Sequence, residues 1–446
     1  MKIAGRLINI ILKSLTLIFL ISLQGVIVDS AEAEVYTMED SIKEAFENNS
    51  SVKAKEEKVL ESEFAKNEAK AGFLPTFSTS YSYTHLGLVP SIETSAFGKS
   101  VDFKMGDQNI YQWQATITQP IFTGFALTSA YELTKLGIDQ SKVDLELEKL
   151  DLALKVKEAY FNILRVDKAV GVARSAVESL EAHHTVAKNF YDVGMIPVND
   201  LLKAEVELAN AQHNLIQAQN ASRLARVSFN VLLSRSVDEP FEIEDILKYT
   251  KETPDFDNCL EKALKERPEI QAIDLSYTQV DQQINLAKSK YYPEVAFTYN
   301  YIKAGDTPDV SGSSFQLANQ WQAIIGLSWT FWDWNKTKNS VNQAESQKRQ
   351  LSQTRKSIEE GITLQLKQAI LNLKEAEEKI PTAQKAVNQA EENLRVGEER
   401  YKAQVTTSTE VLDAQTLLSQ ARMNYYNALY DHNFAKAALL RAIGEY

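Results

Sequence analysis

The chain holds one cysteine, Cys259, in 446 residues. An internal disulfide is impossible, and a thiolate metal cluster is not expected. Proline and glycine are scarce, at 10 and 16 residues. A chain that poor in turn formers, and rich in Ala, Leu, Gln, Asn, Glu and Lys, favours long helices over a compact α/β enzyme. There is no P-loop, no glycine-rich dinucleotide turn and no HExxH pattern, and no nucleophile–base set stands out. No enzyme activity, cofactor or metal is therefore expected. His183-His184 is the one tempting cluster. Neighbours on a helix point about 100° apart, a poor chelate, so a solvated pair is expected. Positive charge is in deficit, with a formal net charge of −12, which argues against a nucleic-acid partner. Beyond the N-terminus no apolar run is long enough for a transmembrane helix.

The N-terminus itself reads as a secretory signal. Lys2, Arg6 and Lys13 precede an apolar core at 15–28, and Ala31-Glu32-Ala33 fits an A-x-A cleavage site. Cleavage after Ala33 removes three basic and two acidic residues and leaves a net charge of −13. No cysteine directly follows the core, so lipid attachment there is not expected.

The rest of the chain is one unit written twice. "SIKEAFENNSSVKA" from Ser41 aligns with "CLEKALKERPEIQA" from Cys259, and Pro75 falls on Pro293. "QWQA" occurs at Gln112 and again at Gln320, and "AYFNIL" from Ala159 aligns with "AILNLK" from Ala369. The stretch "YDVGMIPVNDLLKAE" at 191–205 matches "YKAQVTTSTEVLDAQ" at 401–415. Shifting offsets mark a duplication rather than a short-period solenoid. The expected organisation is a signal peptide at 1–33, a first repeat at 34–240, a connecting segment at 241–254 and a second repeat at 255–446. Each repeat reads as a helix (38–71; 256–289), two strands around a polar loop (73–86 and 110–122; 291–303 and 320–332), a very long helix (126–190; 335–402), a tight turn and a medium helix (199–235; 407–443).

The strands carry strict period-two patterning. In "FSTSYSYTH", Phe77, Tyr81 and Tyr83 alternate with Ser and Thr; in "YQWQATITQ", Trp113 alternates with Gln. Phe297 and Tyr299 alternate with Thr298 and Asn300, while Trp321 and Trp329 share one face of the last strand. Each strand has an aromatic face and a small polar face with almost no Lys or Glu. All five tryptophans lie in or just after these segments. Strands of this length with an apolar outer face and aromatic girdles mark a membrane β-barrel. Tyr81, Tyr83, Trp113, Phe297, Tyr299, Trp321 and Trp329 are accordingly expected to face lipid, and Gln112, Thr298 and Ser328 the lumen. Four strands cannot close a barrel, and an open edge cannot sit in lipid. The chain must therefore oligomerise, to eight strands from two copies or twelve from three.

The long helices read as staves. Residues 126–190 contain no proline and span roughly 100 Å at 1.5 Å per residue. Several heptad rows run along them, among them Leu145, Leu152, Ala159 and Val166, which implies packing on more than one side. The first and last helices of each repeat, laid end to end, match one long helix. Pro381 is expected to interrupt or bend the second long helix.

The paired Pro75 and Pro293, "QPIFTG" at 119–124 with its counterpart "WTFWDW" at 329–334, and the two turn stretches, in this order and spacing, resemble the TolC-like outer membrane efflux protein family over nearly the whole mature chain. The resemblance implies a fold that is mainly α with membrane β: a homotrimer with a twelve-stranded barrel in the outer membrane lipid and a periplasmic tunnel of α-helical hairpins. It implies an outer membrane channel of a tripartite efflux or type I secretion system, gated at its periplasmic end. The implied partners are a periplasmic adaptor (membrane fusion) protein and an inner-membrane transporter. The two turns become the tips that touch the adaptor. The family's "VG" pair is kept at Val193-Gly194-Met195, whereas Ala403-Gln404-Val405 departs from it. Glu410 and Asp413 match the acidic rings that constrict the periplasmic end in relatives, and Thr406 stands where those relatives place a bracing basic residue. The rival reading is a periplasmic coiled-coil chaperone or adaptor, which has no use for aromatic strands.

Overall fold

The computed structural model describes residues 35–96 and 99–446; the expected signal peptide lies outside them. Two short strands, β1 (Val35–Tyr36) and β6 (Glu242–Ile243), pair in parallel at the waist. The first half runs α1 (Met38–Asn48), α2 (Ser50–Ala71), β2 (Thr76–His85), β3 (Ser91–Ala96), β4 (Lys99–Lys104), β5 (Asn109–Thr123), α3 (Ala126–Asp192) and α4 (Val198–Leu232). The second runs α5 (Phe256–Glu266), α6 (Pro268–Lys288), β7 (Glu294–Gly305), β8 (Asn319–Ser328), α7 (Lys336–Lys402) and α8 (Ser408–Ile443). No helix among the described residues is long and apolar enough to cross a membrane.

The first helix of each half, expected to be continuous, is broken. Asn49 is extended (ψ 131°), and its side-chain oxygen accepts the Ser51 N–H at 2.9 Å, so the chain ends one helix and caps the next. Arg267 holds the same place in the second half. It precedes Pro268, whose ring disfavours the helical region for the residue before it and opens α6 at its first position. Pro381, by contrast, does not end α7, which is helical from Lys336 to Lys402. One missing N–H is tolerated where the turns on either side keep their hydrogen bonds.

Each 67-residue stave is lined along its length by two shorter helices of its own half, and α3 also packs on α6 and α8. Ser62 of α2 meets Ser141 of α3 at 2.6 Å, and Leu201 and Ala204 of α4 pack on Ala187 near the other end of α3. In the second half Val280 and Ile284 of α6 pack on Val341 and Ala344, while Val411 and Leu418 of α8 pack on Leu394 and Tyr401. The main core gathers where the waist strands cross α3. There the buried Tyr160 hydroxyl donates to the carbonyls of Tyr36 (2.9 Å) and Glu244 (3.0 Å), and burial pushes its pKa up to about 12.

The four long strands form one antiparallel sheet in the order β2-β5-β7-β8. β8 ends at Ser328, short of the expected 332, so Trp329 stands just beyond it. β3 and β4 pair as a separate hairpin where a polar loop was expected. A bulge between Pro120 and Phe122 in β5 changes the parity of its faces, so Phe122 comes opposite Val295 and the apolar face continues past the proline. β2 and β8 are the free edges of the sheet, exposed throughout. One chain thus supplies an open four-stranded sheet, and a closed barrel is not a property of the single chain.

Candidate functional site at the helix tips and sheet

The two turns adopt the same backbone. At the end of α3 the N–H of Gly194 donates to Tyr191 and that of Met195 to Phe190, both at 2.8 Å. At the end of α7 the N–H of Gln404 donates to Tyr401 and that of Val405 to Arg400, both at 2.9 Å. This is the Schellman closure, which places its turn residue in the left-handed region. Gly194 has φ +76° and Gln404 φ +60°. The departure of the second tip from the "VG" pattern is therefore a change of side chain on a shared geometry, with glutamine carrying a strain that glycine avoids. Replacing Gln404 by glycine is expected to stabilise the second tip by about 1 kcal/mol, read as slower limited proteolysis between α7 and α8.

The tips touch each other. Gln404 Nε2 lies 3.1 Å from Met195 Sδ, and Val193, Met195, Ala403 and Val405 are exposed beside it. Behind them the hairpins are cross-linked by a residue expected to be solvated. His183 is buried: its Nε2 is 2.8 Å from Ser408 Oγ and its ring packs on Tyr401 at 4.7 Å. Burial, helped by the neighbouring His184, pushes its pKa down to about 4, so the ring is neutral at ordinary pH. Its spacing of three from Leu180 and four to Ala187, both buried, is the available signal that it belongs to a packed seam. His184 is half-buried, 3.5 Å from Glu205.

Glu410 and Asp413 are both exposed near the start of α8 but have different surroundings. Glu410 lies 3.8 Å from Arg400 of α7. Asp413 lines a cleft of about 370 Å³ between α8 and α4, together with Lys203 and Glu207. Lys203 reaches Thr409 Oγ1 at 3.4 Å. Glu410 therefore has a cation close by and Asp413 shares its cleft with one, although Thr406 supplies none.

At the other end of the molecule the register puts the aromatic residues together. Tyr81 is paired with Trp113 and Tyr301 with Trp321. Tyr299 stacks near Trp321 at 6.2 Å, and Tyr83 on Tyr111 at 4.7 Å. Phe297 shares their face, opposite Gln119. Trp329 continues that side beyond β8 and donates its indole N–H to the Tyr291 carbonyl at 3.1 Å. On the reverse face Gln112 donates to Gln114, which with Thr116 donates to Asn300 at 2.8–3.0 Å. Thr298 and Ser328 have the same parity. Along β2 and from Gln112 to Thr118 of β5 that face is hydroxyls and amides with no charged side chain, and β7 and β8 add Ile302 and Ile324 to it.

A family model described as outer membrane efflux protein matches residues 41–234 and 259–445. The chain belongs to the outer membrane efflux protein family. It is 20% identical over 390 residues to the outer membrane protein TolC of Escherichia coli, covering 85% of this chain and 76% of TolC. Among solved structures it resembles the CmeC outer membrane channel of Campylobacter jejuni, with a TM-score of 0.76 and 15% identity over 91% of this chain and 85% of that one. A membrane protein of Pseudomonas aeruginosa gives a TM-score of 0.77 at 14% identity, over 93% and 91% of the two chains. This member of the family is an outer membrane efflux channel with the TolC-like fold of helical tunnel and barrel strands.

Proposed function

We propose that this channel is the outer-membrane conduit of a tripartite efflux or type I secretion system. Three copies close a twelve-stranded barrel and a helical tunnel through which substrates pass passively. The observation that carries the reading is the open sheet with two free edges, aromatic on one face and mainly hydroxyl- or amide-lined on the other, mounted on staves roughly 100 Å long. Free edges must be paired in a bilayer. Eight strands from two copies would give an interior filled by side chains, whereas twelve leave an opening. Apolar residues on the flanks of the staves also lack partners within one chain: Leu202, Val206 and Ile216 of α4, and Leu364 and Leu371 of α7, are exposed. A neighbouring copy would cover them.

In this assembly Tyr81, Tyr83, Trp113, Phe297, Tyr299, Trp321 and Trp329 face lipid. The apolar tips, Val193 to Met195 and Ala403 to Val405, receive a periplasmic adaptor, and an inner-membrane transporter completes the pathway. Glu410 and Asp413 narrow the periplasmic end and favour cations there. Opening separates contacts that hold the hairpins together at that end, including Lys203 with Thr409 and His183 with Ser408. In planar bilayers, Glu410→Gln with Asp413→Asn should lower the cation-over-anion permeability ratio by about tenfold, since fields focused by charged constrictions concentrate counter-ions to that degree or more. An unchanged ratio would place both carboxylates away from the constriction.

A further inference from the structure

The aromatic face of the sheet carries a single Lys, Arg, Asp or Glu. Strands β2, β5 and β8 contain none, and β7 contains two, Glu294 and Lys303. Glu294 is opposite Ser328, on the polar face and at the end nearest the staves. Lys303 is on the aromatic face and near the other end, opposite Trp113 of β5 and Asn319 of β8. It is half-buried and makes no ion pair among the described residues. In the loops beyond, Asp309 accepts from Thr307 and Asp107 from Ser313.

Depth gives this cation its meaning. Lys303 follows Val295 by eight residues, about 26 Å along the strand and about 20 Å along the barrel axis at the usual tilt. An outward apolar band is about 25 Å tall, with an aromatic girdle at each border. Trp329 stands at the stave end, and Trp113, Tyr301 and Trp321 stand beside Lys303 at the other. Below Lys303 the rows across the sheet are uncharged: Tyr301 with Ala115 and Trp321, then Tyr299 with Ile117 and Ala323. Lys303 thus sits where head groups replace acyl chains, in the leaflet away from the periplasm. Two further donors share its row. Neither the Trp113 indole N–H nor the Asn319 amide N–H has an acceptor among the described residues. Tyr301 donates to Asn319 Oδ1 at 3.1 Å, which leaves the amide nitrogen as the group turned outward.

We propose that Lys303, with Trp113 and Asn319, binds a lipid whose head group carries an anionic phosphate. The phosphate meets the ammonium and the two N–H donors, as charge-assisted hydrogen bonds require. The acyl chains run down the strip of Tyr301, Trp321 and Ile325. A zwitterionic head group holds its own cation beside its phosphate and gains less from Lys303. A free phosphate ion gains the charge but nothing from the apolar strip. The site rests on the reading above that the aromatic face meets lipid.

The test uses the full chain with Trp329→Phe, Trp332→Phe and Trp334→Phe, which leaves Trp113 and Trp321 as fluorescent reporters of this end. The assembled channel is placed in phosphatidylcholine vesicles, and the probes are phosphatidic acid and phosphatidylcholine with brominated acyl chains, which quench tryptophan on contact. Both should quench. Phosphatidic acid should be preferred about fivefold, the factor one basic side chain gives at an anionic surface. Lys303→Gln should abolish the preference, and Lys303→Arg, which keeps a phosphate-binding cation, should retain it. Millimolar inorganic phosphate should leave it unchanged. A heat-modifiable oligomer on gels confirms that each variant has assembled. Equal quenching by the two lipids, or a preference that survives Lys303→Gln, would overturn the site while the lipid-facing reading stands. A preference erased by inorganic phosphate would mean a site for a soluble anion and overturn the lipid as ligand. Absence of quenching by either lipid would overturn the lipid-facing reading and the site with it.

Discussion

Gly124→Val is expected to abolish assembly of the channel. Gly124 joins β5 to α3 with φ +60°, and a Cβ there would overlap the Ser289 carbonyl oxygen and lie 2.9 Å from Tyr292 Cβ. The first of these atoms is backbone and cannot swing aside. The left-handed conformation adds about 1–2 kcal/mol for any side chain and more for a β-branched one. The second repeat shows that conformation is not the whole reason. Trp334 occupies the matching junction with φ +56° and is 83% exposed. Left-handed backbone is tolerated there because nothing crowds it. At Gly124 the short 3₁₀ turn at Ser289–Tyr291, which leads into β7, presses directly on the Cα. A side chain at 124 would therefore unseat the sheet from its staves. Semi-native gels of membrane fractions should show no heat-modifiable oligomer for Gly124→Val; wild-type amounts of oligomer would refute the packing argument. Trp334→Gly should leave the oligomer intact.

Arg267→Met should destabilise the fold by about 3 kcal/mol at neutral pH, because removing one member of a buried pair strands the other charge, at a cost of about 3–5 kcal/mol. Arg267 is 1% exposed and its side chain binds Glu269 at 2.5 and 3.1 Å and Gln365 at 3.0 Å. The low end of the range applies because Arg441 still reaches Glu269 at 2.9 Å. Burial pushes the Glu269 carboxyl up, but the hydrogen bonds and charge of Arg267, with Arg441, outweigh it and hold the pKa down to about 2. A carboxylate with a depressed native pKa gives stability that is present above its unfolded value of about 4.5 and fades as pH falls toward 2. The loss caused by Arg267→Met should therefore be full at pH 7 and shrink below pH 4.5. Unfolding measured by circular dichroism on the two sides of that value checks this. An equal loss at both would mean that packing, not the ion pair, is what Arg267 contributes.

How much of the fold is legible in the sequence depends on how many residues carry each signal. The strands announce themselves because aromatic and hydroxyl residues alternate over about ten positions, and the sheet places those aromatics on one face. The first long helix is legible from the absence of proline over sixty residues, and the second from the same composition despite Pro381. The break at Asn49 is not, because it rests on one side chain capping its own backbone; Pro268 is the visible sign of the same break in the second half. The β3–β4 hairpin hides in a polar stretch too short for a period to stand out. His183 is easily misjudged, since the pair His183-His184 draws the eye away from its place between Leu180 and Ala187. The equivalence of the tips is half visible: aligned residues mark the turn, but glutamine in a left-handed site cannot be read from residue type. Glu410 and Asp413 stand out by resemblance alone, and their different neighbours, Arg400 and Lys203, come from different helices that only the fold brings to them.

The central claim is that one chain carries a third of a barrel. Native mass spectrometry of the purified full-length channel, released from detergent micelles, tests it most directly. A single dominant species of three copies is predicted. A stable monomer, or a dimer that persists across detergents, would contradict it.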